Sequence, residues 1–175
     1  MGGFRRVGRT ASPRTLRSRC RRAALGGLRD RVPGKRRGVL GPRGAPVGDH
    51  LPLVDKLLSL VIDGPKRATA GLVADFIAER EPLPRIGGHM IACDGAGVPR
   101  VVLRTTELRI GPFSSVDAKF AYDEGEDDRT LEGWVEGHRP YFERVSSGRG
   151  KTWHEDDEVV FERFQVVWPL EHSDH

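Results

Sequence analysis

An amine and a hydroxyl stand three residues apart in the stretch DGPKRATAGL, residues 63–72: they belong to Lys66 and Thr69, with Arg67 between them. A threonine hydroxyl attacks an electrophile only after a neighbouring base has taken its proton. A lysine can be that base only when its pKa falls well below the usual value of about 10.4. Burial and an adjacent cation such as Arg67 push it down, whereas a nearby carboxylate pushes it up. The same residues allow a simpler chemistry, in which Lys66 and Arg67 meet phosphate while Thr69 caps a helix or begins a strand. As a plain solvated turn they would do neither.

Other residues invite weaker readings. His138, Trp134, Tyr141 and Phe142 fall near one side of a helical stretch. His138 reads first as a packed, hydrogen-bonded histidine. Trp134 and Tyr141 could stack on a base or simply fill a core. His138 and His154 with nearby acids lack a recognised ligand spacing, so no metal is expected. The run EGEDD reads as a solvated acidic loop that would repel phosphate. Cys93 reads as a small buried apolar residue.

These residues need elements to hold them. In GDHLPLVDKLLSLVIDG, Asp49 can cap a helix, Pro52 suits its first turn, Leu53, Leu57, Leu60 and Val61 line one face, and Gly64 can end it. A second helix is predicted over Leu72 to Arg80, stopped by Pro82 and Pro84. HMIACD and RVVLRTTELRI flank the turn GAGVP and predict a hairpin. Ser115 is expected to cap a short helix, VDAKFAYDE. Thr130 opens LEGWVEGHRPYFERV, which Pro140 should kink or split. EVVFERFQVVW is the clearest last strand, with Val160, Phe164, Val166 and Trp168 on one face and Glu162 as the exception among them. Few strands with helices between them predict an α+β domain.

Composition divides the chain. Residues 1–50 hold fourteen Lys and Arg against Asp30 and Asp49, while the remaining 125 residues hold fifteen against twenty-three acids. A basic arm precedes an acidic globule. Residues 1–46, with thirteen arginines and few large apolar side chains, are expected to be a disordered Arg/Gly-rich arm. Order is expected over residues 47–170, with 171–175 as a tail. Two cysteines, Cys20 and Cys93, make no disulfide framework, which fits a reducing compartment. No apolar run reaches a membrane span. A cytoplasmic protein with no membrane partner is expected.

From about Val47 to Leu170 the chain resembles the ASCH domain family of the PUA-like β-barrel superfamily. The resemblance runs in order over Gly64-Pro65-Lys66-Arg67-Ala68-Thr69, similar to the family's G-x-K-x-x-T/S signature; RIGGHMIACDGAGVPRVVLRTTELRIGPFSSV, similar to its central hairpin; DAKFAYDEGEDDRTLEGWVEGHRPYFE, similar to its acidic loop and aromatic helix; and FERFQVVW, similar to its last strand. The resemblance implies a PUA-like barrel with inserted and flanking helices. It implies binding of RNA or a nucleoside-like molecule in a cleft at the signature, with Lys66, Arg67, Trp134 and His138 as ligand-binding residues. Some relatives are ribonucleases or amidohydrolases that deacetylate acetylcytidine. In the latter the resemblance implies Lys66 as base, Thr69 as nucleophile and Glu124 as the assisting carboxylate, with Glu126 as the fallback. No cofactor is implied. A third class, a non-catalytic regulatory interaction module, is also compatible with the fold.

Overall fold

The structure, a computed structural model, describes residues 43–46 and 51–174. Helix α1 (Leu51–Ile62) buries Val54, Leu57, Leu58 and Val61, spaced i, i+3, i+4 and i+7. The stripe is rotated from the expected one, since Leu53 and Leu60 lie at its margins. Each buried aliphatic side chain of this size contributes about 1.5–3 kcal/mol. The expected cap Asp49 lies outside the described residues. The stretch after the helix does more than turn: Ala68–Leu72 forms strand β2, which leads into α2 (Val73–Glu79). β1 is the short strand Arg43–Pro46. It falls inside the segment expected to be a disordered arm, so these four residues are a correction; the others of that segment lie outside the described residues.

The predicted hairpin is present as β3 (His89–Cys93) and β4 (Pro99–Pro112). Asp94 closes its turn, its Oδ1 accepting from the N–H groups of Ala96 and Val98 at 3.0 and 2.9 Å. Helix α3 (Ala118–Glu124) is capped by Asp117, which accepts from Phe120 N at 2.7 Å, and not by Ser115. Ser115 sits one turn earlier, in a short 3-10 turn, where its hydroxyl accepts from Arg109 and donates to the Pro112 carbonyl. Thr130 caps α4 (Leu131–Ser147) as expected, accepting from Gly133 N at 3.0 Å. Pro140 does not split this helix. Trp134 on one side of the proline and Phe142 on the other pack into the same aromatic cluster, and that packing holds the helix across the missing N–H.

β5 (Glu158–Trp168) runs through the sheet, whose strand order is β1-β3-β4-β5-β2. All pairings are antiparallel except β1 with β3. Both faces of β5 are covered. Val159 and Phe161 join Trp134, Phe113, Phe120 and Phe142 on one side, while Phe164 and Val166 join Leu58, Val61 and Leu103 on the other. Trp168, expected on the buried face, is 49% exposed at the end of β5. Cys93 is fully buried and disulfide-bonded, so the expectation of no disulfide is not met; its partner lies outside the described residues. Among the described residues no helix is long and apolar enough to cross a membrane.

Candidate functional site

The backbone around Lys66 is pinned from three sides. Lys66 N donates to Leu60 O at 3.1 Å, Arg67 N to Asp123 O at 2.7 Å, and Phe164 N to Arg67 O at 2.9 Å. The loop therefore ties the end of α1 to the end of α3 and to β5. Gly125 caps α3 with φ +70°, and a Cβ there would meet Lys66 N at 2.6 Å and Pro65 C at 2.7 Å. Only glycine allows the two chain segments to approach so closely. That contact sets Glu124 and Glu126, on either side of Gly125, against the lysine.

The Lys66 side chain is fully buried. Its Nζ donates to Glu126 Oε1 and to the Glu124 carbonyl at 3.4 Å, and it lies 3.5 Å from Glu124 Oε1. Glu124 is buried as well, and its oxygens are well supplied with donors. Oε1 accepts from Ala70 N at 3.0 Å, Oε2 accepts from Trp134 Nε1, and His138 Nε2 is 3.4 Å from Oε2. β2 ends the sheet among the described strands, so the Ala70 N–H faces away from β5 and Glu124 satisfies it. Burial alone would raise the Glu124 pKa; the charges of Lys66 and His138 and the hydrogen bonds from His138 and Trp134 outweigh it and hold the carboxyl well below the usual range.

His138 lies flat on Trp134, ring centroids 4.0 Å apart. Its Nδ1 is 3.0 Å from the Trp134 carbonyl, which can only accept. Its Nε2 faces the Glu124 carboxylate. With an acceptor before each nitrogen the doubly protonated ring fits best. Burial works against that charge, but Glu124, with Glu126 behind it, prevails and the His138 pKa is raised.

These groups border a cavity of about 350 Å³, a size suited to one small organic molecule. Glu124, Glu126, His138 and Thr69 line it, with Tyr141, Phe76 and Leu57 supplying apolar wall. Among the described residues, seven carboxylates face it, against Lys56 and Arg144. The structure thus brings Lys66, Glu124, Glu126, Trp134 and His138 into one network and sets Thr69 on the cavity that Glu124, Glu126 and His138 border. Lys66 does not itself line the cavity; it lies behind Glu124 and Glu126. Trp134 is buried and fixes Glu124, so its ring face is covered by His138 and not offered to a base. Arg67 turns away: its guanidinium holds Asp174 at 2.7 Å and the Val61 carbonyl at 3.0 Å, which fastens the end of the chain to α1. Among the described residues no cluster of three His, Cys, Asp or Glu side chains is arranged to hold a metal ion.

Two site residues lay outside the sequence expectations. Gly125 is one, hidden in an acidic loop where nothing in the chain reveals which backbone it touches. Glu162 is the other. It lines the cavity and is 5% exposed, and its signal was present as the one charge on the apolar face of the last strand.

A model of the ASCH domain family matches residues 46–168. The crystal structure of an ASCH domain from Lactobacillus crispatus JV V101 is similar with a TM-score of 0.62 and 28% identity, over 68% of this chain and 75% of that one. A protein of Enterococcus faecalis V583 is similar with a TM-score of 0.67 and 27% identity, over 86% of this chain and 88% of that one. No curated protein matches. With the family match spanning most of the chain, and four helices packed on a half-barrel sheet among the described residues, this protein belongs to the ASCH domain family and has its PUA-like fold.

Proposed function

We propose that the cavity binds an acylated, nucleoside-sized molecule and hydrolyses its amide bond, with Thr69 supplying the attacking hydroxyl. One observation carries this reading. Glu124, fully buried and paired with Lys66, accepts the N–H of Ala70, the residue next to Thr69, so a carboxylate held by a buried cation and a threonine hydroxyl border one small cavity. Among the described residues the Thr69 hydroxyl makes no hydrogen bond, and it faces the space a ligand would fill. The Lys66 ammonium already donates to Glu126 and the Glu124 carbonyl, and no hydrogen bond joins it to Thr69. Its part is to hold two carboxylates together beside the cavity, which would otherwise repel each other.

RNA binding, the other expectation, has the general support of the family, a PUA-like fold proposed to bind RNA. At this site the charges oppose it: Lys66 is unavailable to phosphate, and among the described residues the charged side chains that line the cavity are mostly acids. The test is turnover of acetylcytidine by the wild-type protein and by Thr69→Ala. The expected outcome is hydrolysis by the wild type and a loss of at least about 10³-fold in the folded variant. A wild type that binds but does not cleave acylated cytidine would overturn the hydrolytic reading.

A further inference from the structure

We propose that Phe76 is the platform on which the flat ring of the ligand stacks, so that an amide carried by that ring meets Thr69; the inference rests on the nucleoside-sized ligand proposed above. Among the described residues four rings border the cavity: those of Phe76, His138, Tyr141 and Phe164. Three of them are engaged elsewhere. Phe164 is buried in the cluster of Leu58, Val61 and Leu103. His138 lies flat on Trp134, and Tyr141 packs against His138 and Phe142 with the Arg144 guanidinium over its ring. Phe76 differs. It is half-buried, and among the described residues it joins none of the apolar clusters and meets no other ring. A ring left in this state at a cavity wall forgoes burial that a flat ligand would restore.

The position of Phe76 is fixed by its surroundings. α2 ends at Arg80 in the left-handed conformation, φ +54°, and Glu81 N donates to the Phe76 carbonyl at 2.9 Å. Asp75, the residue before it, is ion-paired with Arg149. The ring reaches back over β2, where a Cβ on Gly71 would stand 3.6 Å from Phe76 Cε2. Glycine therefore leaves the strand surface bare beside the ring. Thr69 lies two residues along β2, on the same face and about 7 Å away. Thr69, Gly71 and the ladder partner of Gly71, Val160, all line the cavity.

A flat heterocycle laid against Phe76 beside Gly71 carries its exocyclic amide toward Thr69. An acylated aliphatic amine has no ring to hold it in that position. The substrate class is thus an amide borne on an aromatic heterocycle, and Phe76 selects it by flatness, since every base has a π face.

The test compares wild type, Phe76→Tyr and Phe76→Leu, each checked for folding by its thermal midpoint, in calorimetric titration with cytidine and in turnover of acetylcytidine. Phe76→Leu keeps an apolar side chain and removes the ring. It should weaken cytidine binding by about 10-fold or more and raise KM for acetylcytidine by a similar factor, with kcat little changed. Phe76→Tyr should stay close to wild type in both. In proton NMR the ring current should move cytosine H5 and H6 of bound cytidine upfield in wild type and in Phe76→Tyr, and less in Phe76→Leu, a signature that lost packing alone does not produce. Unchanged cytidine affinity in folded Phe76→Leu, or no upfield shift in the wild type, would overturn the platform. Cytidine binding that depends on Phe76, without turnover of acetylcytidine, would remove the hydrolytic reading and leave the platform standing. A wild type that does not bind cytidine would remove both.

Discussion

At Lys66 a fully buried cation is held by Glu124, itself buried, and by Glu126, which keeps part of its side chain in solvent. Removing one member of such a group costs about 3–5 kcal/mol, because what remains is an uncompensated buried charge. Lys66→Met, which keeps the volume, should therefore lower the unfolding free energy by that amount in a denaturant titration. His138 gives a pH dependence. Its folded pKa lies above the ordinary 6.5, so its contribution is complete below pH 6.5 and is lost as pH rises through the raised value. Stability should fall over that interval in wild type, and His138→Gln should flatten the fall. At this scale the sequence was partly legible. Lys66, Thr69 and Glu124 were gathered by resemblance to a known family, and no spacing rule alone joins residues 66 and 124. Glu126, held as the fallback, proves to be a direct partner of Lys66. Arg67 shows the limit, because its partner Asp174 is 107 residues away.

The elements were easier to read where chemistry is local. Thr130 as a cap, the hairpin around Asp94 and the two-sided last strand follow from side chains acting within a few residues of themselves. The errors came where tertiary contacts decide. Pro140 does not split its helix because aromatic packing spans it, which leaves only the expected kink, and Ser115 gave way to Asp117 because a 3-10 turn separates it from α3. Gly125 is the element-level feature with the sharpest consequence. Gly125→Ala would force a side chain into the left-handed region and drive its Cβ into the Pro65–Lys66 backbone. The conformational strain alone is worth about 1–3 kcal/mol, and the clash adds displacement of Lys66. Gly150→Ala is the control, with φ +69° and nothing within 4 Å. Unfolding measurements should show the Gly125 variant clearly less stable than the Gly150 variant, and the Gly125 variant alone should lose activity.

Across the whole molecule, charge is unevenly distributed. The site lies in the part of the chain that carries excess acid, while fourteen of the twenty-nine basic residues fall within the first fifty positions. Any affinity for RNA should therefore reside in that basic segment and fall steeply with salt, as arginines release counterions from phosphate. A chain beginning at residue 41, which keeps β1, should lose most of the affinity and most of the salt slope relative to the full chain. Equal affinity and slope for the two would assign RNA binding to the domain itself. The fold at this scale was legible because apolar periodicity and family signature agree over residues 46–168. The inclusion of Arg43–Pro46 in the sheet was not, since a strand of four residues with no apolar alternation carries no signal of its own.

The central claim is that the buried Lys66–Glu124 pair and the Thr69 hydroxyl serve one reaction. Its most direct test is kcat/KM on acetylcytidine for Lys66→Met, Thr69→Ala and the double variant, each confirmed to be folded. Residues that work as a unit give losses that do not multiply. The double variant should be scarcely slower than the worse of the two single variants. Losses that multiply, or wild-type turnover in folded Lys66→Met, would contradict the account.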